Sequence, residues 1–75
     1  MEKMEKYKMA MDEAAKHMSL LCGCDVENTK DGMIAARKKV YDRGNYEDNA
    51  KADFYFSQWM WGHCEMEAHK DTEIK

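Results

Sequence analysis

The first part of the chain places apolar residues at intervals of three and four, with charged residues covering the positions between them. This spacing puts the apolar side chains on one face of an α-helix. The face consists of Met4, Tyr7, Met11, Ala14, Met18 and Leu21. Gly23 follows it directly, and glycine commonly ends a helix because it adopts the left-handed conformation at little cost. The pattern therefore predicts a first helix over about residues 2–22.

A second segment keeps the same spacing between Gly23 and Gly44. Its apolar side is formed by Val26, Thr29, Met33, Ala36 and Val40, and Ile34 and Tyr41 widen it. We predict a second helix over about residues 26–43, capped at its start by Asp25. A later start, capped by Thr29 or Asp31, is the alternative, because Gly32 inside a helix costs about 1 kcal/mol relative to alanine.

The third segment begins at Asn45, which is suited to cap a helix. The pattern predicts a helix over about residues 46–69, in which Gly62 is a candidate point of interruption, followed by a frayed tail over residues 70–75. No strand pattern competes, and proline is absent. The sequence therefore predicts a single all-α domain over residues 1–75, built as a three-helix bundle or an extended helical hairpin.

The third segment carries apolar side chains on two sides. One stripe contains Ala50, Phe54, Trp61, Cys64 and Ala68, and the other contains Ala52, Phe56, Trp59, His63 and Met66. Positions 50 and 52 are about 200° apart around a helix, so the stripes face in nearly opposite directions. A surface helix normally buries one stripe. Either the first two helices grip this helix from both sides, or part of its aromatic surface contacts a second copy or another protein. We favour the second explanation, because a short chain with few aliphatic residues can bury little area alone. The predicted interface residues are Phe54, Tyr55, Phe56, Trp59, Met60 and Trp61.

The composition strengthens the expectation of an intermolecular contact. Only six residues are leucine, isoleucine or valine, whereas methionine alone contributes eight. A chain this short has little apolar area to offset the entropy lost on folding, and small domains often gain stability by oligomerisation. Closed two-fold dimers are the commonest oligomers. We therefore expect homodimerisation to complete the fold.

Charge and hydropathy exclude several classes of function. The net charge of −3 disfavours a generally basic nucleic-acid coat. The basic residues Arg37, Lys38, Lys39 and Arg43 nevertheless leave a helix-turn-helix-like DNA-binding regulator as an alternative. No apolar run is long enough for a membrane span. The charged first residues lack the apolar stretch of a secretory signal, so we expect a cytoplasmic protein without a membrane partner.

Three cysteines and three histidines raise the question of a metal. Cys22, Cys24, His63 and Cys64 are the candidates for a small structural zinc site, which is a second alternative. The spacing is poor, because His63 and Cys64 are adjacent and point about 100° apart on a helix. We therefore predict reduced thiols and neither metal nor cofactor.

No catalytic constellation is present in the sequence, so we predict that the protein is not an enzyme. The prediction that remains is a small non-catalytic protein acting through contact with another protein, as an adaptor, a regulator or a stoichiometric inhibitor. Its size and mild acidity suit, as a narrower hypothesis, a phage-encoded inhibitor of a host enzyme or defence complex.

Overall fold

A computed structural model of the protein describes the backbone of residues 2–74 and the side chains of residues 4–69. The described chain forms three helices: α1 (Glu2–Cys22), α2 (Lys30–Asp42) and α3 (Tyr46–Ile74). No strand occurs between residues 2 and 74. Each helix packs against the other two, with the most extensive contact between α1 and α3. The prediction of an all-α three-helix bundle is confirmed.

Helix α2 begins at Lys30 rather than at residue 26, so the earlier of the two predicted starts is wrong. Thr29 has an extended backbone, and its hydroxyl oxygen accepts a hydrogen bond from the backbone N–H of Gly32 at 3.0 Å. This cap satisfies one of the N–H groups that the first turn of a helix leaves free. Residues 26–29 therefore remain outside the helix and belong to the loop over residues 23–29 that joins α1 to α2.

Helix α3 continues to Ile74, where the sequence predicted a frayed segment after residue 69. No glycine or proline follows Gly62, so nothing in this part of the sequence stops the helix. Lys75 lies outside the described residues. Asn45 acts as predicted at the other end, since its side-chain oxygen accepts a hydrogen bond from the Asp48 N–H at 3.1 Å.

Gly62, the candidate point of interruption, does not break the helix, because α3 runs through this position. Gly62 is buried where α3 crosses α1. A β-carbon added there would lie 2.7 Å from the Tyr7 carbonyl oxygen and 2.8 Å from Met11 Cγ. The glycine thus allows a close approach of two helices instead of marking the end of one.

The core combines small residues with a few large ones. Trp59 and the methionines Met18 and Met33 are its largest fully buried members, together with Val40. Small side chains on each helix let the backbones come close enough to surround them: Ala14, Ala15, Ala36 and Ala52 are all buried. One indole and flexible methionines thus fill the core in place of aliphatic residues, which are scarce in this chain. Methionine side chains are suited to irregular spaces.

Candidate interaction surface

The two apolar stripes of α3 have opposite environments. Ala52 and Trp59 are buried, and Phe56, His63 and Met66 of the same stripe are half-buried. The members of the second stripe are exposed: Ala50, Phe54, Trp61, Cys64 and Ala68. The other two helices thus cover one side of α3 and leave the opposite side open to solvent.

Aromatic side chains dominate this open side. Phe54 keeps 64% of its surface exposed and Trp61 keeps 46%. Ser57, which is also exposed, fills the gap between them. We define the exposed stripe of α3 as Ala50, Phe54, Ser57, Trp61 and Cys64. Its intervals of four, three, four and three residues are those of a heptad seam that packs against another helix.

Only two of the six predicted interface residues are exposed. Trp59 is 1% exposed and belongs to the core, so the structure does not place it on an open surface. Tyr55, Phe56 and Met60 are half-buried and pack against the core. The sequence pattern already places Trp59 on the stripe opposite Phe54. This position on the helix, and not the aromatic character of the side chain, indicates that Trp59 is buried.

The half-buried aromatic residues have partners within the chain. Tyr55 stacks on His17 of α1, with ring centroids 5.2 Å apart. The guanidinium of Arg37 lies over the Phe56 ring at 4.1 Å from its centroid. Such a cation–π contact holds α2 against α3. These side chains therefore help to join the helices.

Both edges of the exposed stripe are fixed by contacts to neighbouring helices. On the α1 side, Trp61 meets Tyr7 edge to face, with ring centroids 5.2 Å apart. On the α2 side, the Tyr41 hydroxyl donates a hydrogen bond to Asp53. This bond stabilises the protonated phenol and raises the pKa of Tyr41. The exposed stripe is consequently held on a rigid helix with anchored flanks.

A groove between α1 and α3 extends the apolar surface beside Trp61. Met9, which is 61% exposed, lines it together with Ala10 and Gln58. The Gln58 amide donates a hydrogen bond to the Ala10 carbonyl at 3.0 Å, which fixes the floor of the groove. Glu5, Lys6 and Glu13 lie at its edge. An apolar centre with a charged border is typical of a protein contact surface.

Three of the four basic residues singled out in the sequence make contacts inside the chain. Arg37 covers Phe56, and the ammonium of Lys39 lies 3.4 Å from the Cys24 sulfur. Arg43 donates to the carbonyl oxygen of Leu21 at 2.8 Å and also to that of Cys22. It thereby satisfies carbonyl groups that the end of α1 leaves free. Lys38 is exposed. The contacts of the other three residues give the basic cluster a structural role.

The four candidate metal ligands do not come together. Cys22 and Cys24 lie at the end of α1, near the beginning of α3, where Tyr55 contacts His17. His63 stacks on Trp59 with ring centroids 5.0 Å apart, near the crossing of Gly62 with the first half of α1. Cys64 belongs to the exposed stripe on the other side of α3. Among the described residues, no group of three or more histidine, cysteine or acidic side chains is placed to hold a metal ion.

Within the described part of the chain, none of the helices has the length and apolar character needed to cross a membrane. Comparisons with known protein families, with curated proteins and with solved structures find no match. The functional interpretation therefore rests on the chain's own surface.

Proposed function

We propose that the protein is non-catalytic and acts through protein–protein contact, with the exposed stripe of α3 as its docking surface and a second copy of the chain as the occupant. The observation that carries this proposal is the exposure of Phe54 and Trp61 on a heptad-spaced face. Large aromatic residues contribute strongly to protein interfaces because they bury much area at little entropic cost. Isolated exposed apolar residues are common, but an aligned series with this spacing is suited to another helix.

The order of large and small residues makes the stripe complementary to itself in an antiparallel arrangement. With the two-fold axis at position 59, Phe54 lies opposite Cys64 of the second copy and Trp61 lies opposite Ser57. Each aromatic ring then meets a small side chain, and Ala50 meets Ala68. A parallel arrangement would place each aromatic ring against its own copy and the small residues against one another. Interdigitation of large with small residues fills the interface better.

The residues beside the seam support the antiparallel arrangement on one flank. Lys51 comes close to Glu65 of the second copy, and two-fold symmetry repeats this opposite-charge pair. On the other flank Met60 meets its own copy, while Asp53 and Glu67 form a like-charge pair. Asp53 is already engaged with the Tyr41 hydroxyl. Pairs at an exposed interface rim contribute at most about 1 kcal/mol each, so packing of the aromatic rings decides the association.

The expected affinity is modest. Complete burial of a large apolar side chain contributes roughly 1.5–3 kcal/mol, and about half of this remains to be gained by Phe54 and Trp61. Two-fold symmetry brings four such rings together, for a gain of roughly 3–6 kcal/mol. Association costs roughly 4–15 kcal/mol before any contact is counted. Because the gain from the rings reaches only the lower end of this cost, we expect a weak dimer that dissociates on dilution.

Adaptor, regulator and inhibitor remain the candidate roles for such a surface, and the phage-encoded inhibitor of a host enzyme or defence complex remains a narrower hypothesis. The contact surface is the same in each case. The test below addresses that surface directly.

Sedimentation equilibrium over a wide concentration range tests the proposal. We expect the wild-type chain to shift from monomer to dimer as concentration rises, and Phe54→Glu to weaken this association at least tenfold, because a carboxylate cannot be buried in the seam without a partner. Phe54 is the best site for this substitution because its ring contact is with Tyr55, the next residue of the same helix. Leu20→Glu is the matched control, since Leu20 is 74% exposed on α1.

A wild-type chain that remains monomeric at all accessible concentrations would overturn the dimer. Equal weakening by the two variants would also contradict the proposal, because it would make the exposed stripe no more important than any other apolar surface residue. Circular dichroism of both variants confirms that their helices are intact.

A further inference from the structure

The turn after α1 brings two thiols together. Cys22 is the last residue of the helix, Gly23 adopts a φ of 76°, and Cys24 follows it. The two sulfur atoms lie 3.3 Å apart. Ser19 fixes the turn, since its hydroxyl donates to the Cys24 carbonyl oxygen at 2.7 Å. The pair is therefore held close together by the fold and not merely by its proximity in sequence.

The two thiols have different environments. Cys22 belongs to the buried core, and burial raises its pKa. Cys24 is half-buried, and its sulfur lies beside the Cys22 sulfur and 3.4 Å from the Lys39 ammonium nitrogen. When Cys24 is ionised, it accepts hydrogen bonds from both the Cys22 thiol and the Lys39 ammonium. These two bonds stabilise the thiolate and lower the pKa of Cys24. A thiolate is the nucleophilic form of cysteine.

Cys24 also lies on a cleft between the α1–α2 loop and α2. The cleft has a volume of about 260 Å³, and Val26, Gly32, Ala36 and Lys39 line it together with Cys24. The backbone of Glu27 in the loop packs directly against Gly32, where a β-carbon would leave no room for it. A small molecule can therefore approach Cys24, whereas Cys22 is shielded by the core.

We propose that Cys22 and Cys24 form a reversible dithiol–disulfide site that reacts with small disulfides, with Cys24 as the attacking thiol and Cys22 as the resolving thiol. This inference is independent of the docking surface on α3. The Lys39 ammonium favours this chemistry over a metal ion, because a positive charge at hydrogen-bond distance from one of only two sulfur ligands opposes a cation.

The reaction has two exchange steps. The Cys24 thiolate attacks one sulfur of the small disulfide, the bond between its two sulfurs breaks, and a thiolate leaves and takes up a proton. Cys22 then loses its proton and attacks the Cys24 sulfur, which expels the second small thiol. The protein loses two electrons and two protons, and the small disulfide is reduced to two thiols.

Mass spectrometry after exposure to hydroxyethyl disulfide, a small neutral reagent, tests the proposal. All proteins carry Cys64→Ser, so that only the pair can react. We expect the chain with both thiols to form an internal disulfide and to release two small thiols. With Cys22→Ser as a further change, we expect the mixed disulfide to accumulate on Cys24, because the resolving thiol is missing.

The role of Lys39 separates this site from ordinary thiol reactivity. We expect Lys39→Gln to slow the first exchange at neutral pH by roughly three- to tenfold and to move the midpoint of its pH profile upward. Lys38→Gln is the matched control, because Lys38 is the exposed neighbour on the same helix. Its rate should equal that of the chain carrying both lysines.

Three outcomes would overturn the proposal. One is a mixed disulfide on Cys24 that persists while Cys22 is present. Another is the same rate for the Lys39 and Lys38 variants. The third is a rate in the folded chain no higher than in the chain unfolded by guanidinium, since the fold would then contribute nothing to the reaction.

Discussion

Asn28 connects the buried indole of Trp59 to the surface of the bundle. The indole N–H donates to the Asn28 side-chain oxygen at 2.6 Å, and the Asn28 amide donates to the carboxylate of Asp12. Trp59 is almost fully buried, so its N–H has no access to bulk water. An unsatisfied buried donor costs about 1–3 kcal/mol.

We therefore expect Asn28→Ala to lower the free energy of unfolding by about 1–2 kcal/mol. Urea unfolding followed by tryptophan fluorescence measures this change. Asn28→Asp is the informative comparison, because its carboxylate keeps an acceptor for the indole N–H but loses the amide that donates to Asp12. A loss for alanine no greater than for an exposed substitution such as Lys16→Ala would contradict the role assigned to Asn28.

Polar contacts between individual residues, such as that of Asn28 with Trp59, cannot be predicted from the sequence pattern. The periodic pattern places Trp59 on a stripe, but the loop residue that meets its N–H depends on how the α1–α2 connection folds back. Lys39 and Arg43 show the same limit. As sequence they form part of a basic cluster, whereas in the structure one contacts a sulfur atom and the other contacts carbonyl groups at the end of α1. Side-chain partners far apart in sequence leave no periodic signal.

At the scale of elements, Gly62 determines how closely α1 and α3 approach. We expect Gly62→Ala to lower the free energy of unfolding by about 1–2 kcal/mol. The added methyl group would overlap the Tyr7 carbonyl oxygen, which belongs to the backbone and cannot rotate away. This cost exceeds the gain of about 1 kcal/mol that alanine brings to a helix.

Thermal unfolding monitored by circular dichroism measures the effect. Lys16→Ala is the matched control, because it introduces alanine at an exposed helical position of α1, outside the exposed stripe. A stabilised Gly62→Ala variant would mean that the two helices can separate slightly without loss, and that the close crossing is not required.

Helix existence follows from local periodicity, but helix boundaries depend on tertiary contacts. The three-four spacing and the glycines Gly23 and Gly44 are sufficient to predict three helices, and both glycines have positive φ angles in the structure. Asp25 and Thr29 are both suited to cap α2, and in the structure Thr29 is the cap that sets its start. The continuous course of α3 past Gly62 depends on a neighbour from α1 that no local pattern contains. The two apolar stripes of α3 predict that one face of the helix stays exposed. Which of the two stripes is exposed depends on how the other helices pack against α3.

At the scale of the whole molecule, the antiparallel dimer proposed for the exposed stripe has a register that is testable. In a chain with Cys22→Ser and Cys24→Ser, Cys64 is the remaining thiol. A parallel dimer would bring Cys64 against its own copy and allow rapid crosslinking under mild oxidation. The antiparallel dimer separates these two sulfur atoms by most of the seam, so we expect little crosslinking.

Adding Phe54→Cys to this chain should reverse the result, because position 54 lies opposite Cys64 in the antiparallel register. Non-reducing electrophoresis would show the covalent dimer, and peptide mapping would locate the bond between positions 54 and 64. A disulfide traps even a weakly populated dimer, which compensates for the loss of one aromatic ring from the seam. Leu20→Cys in the same background is the matched control and should not pair with Cys64, because Leu20 is exposed on α1 and lies outside the stripe. Preferential bonding of Cys64 to its own copy would instead indicate the parallel register, in which the aromatic rings face one another and the complementarity of large and small residues has no role.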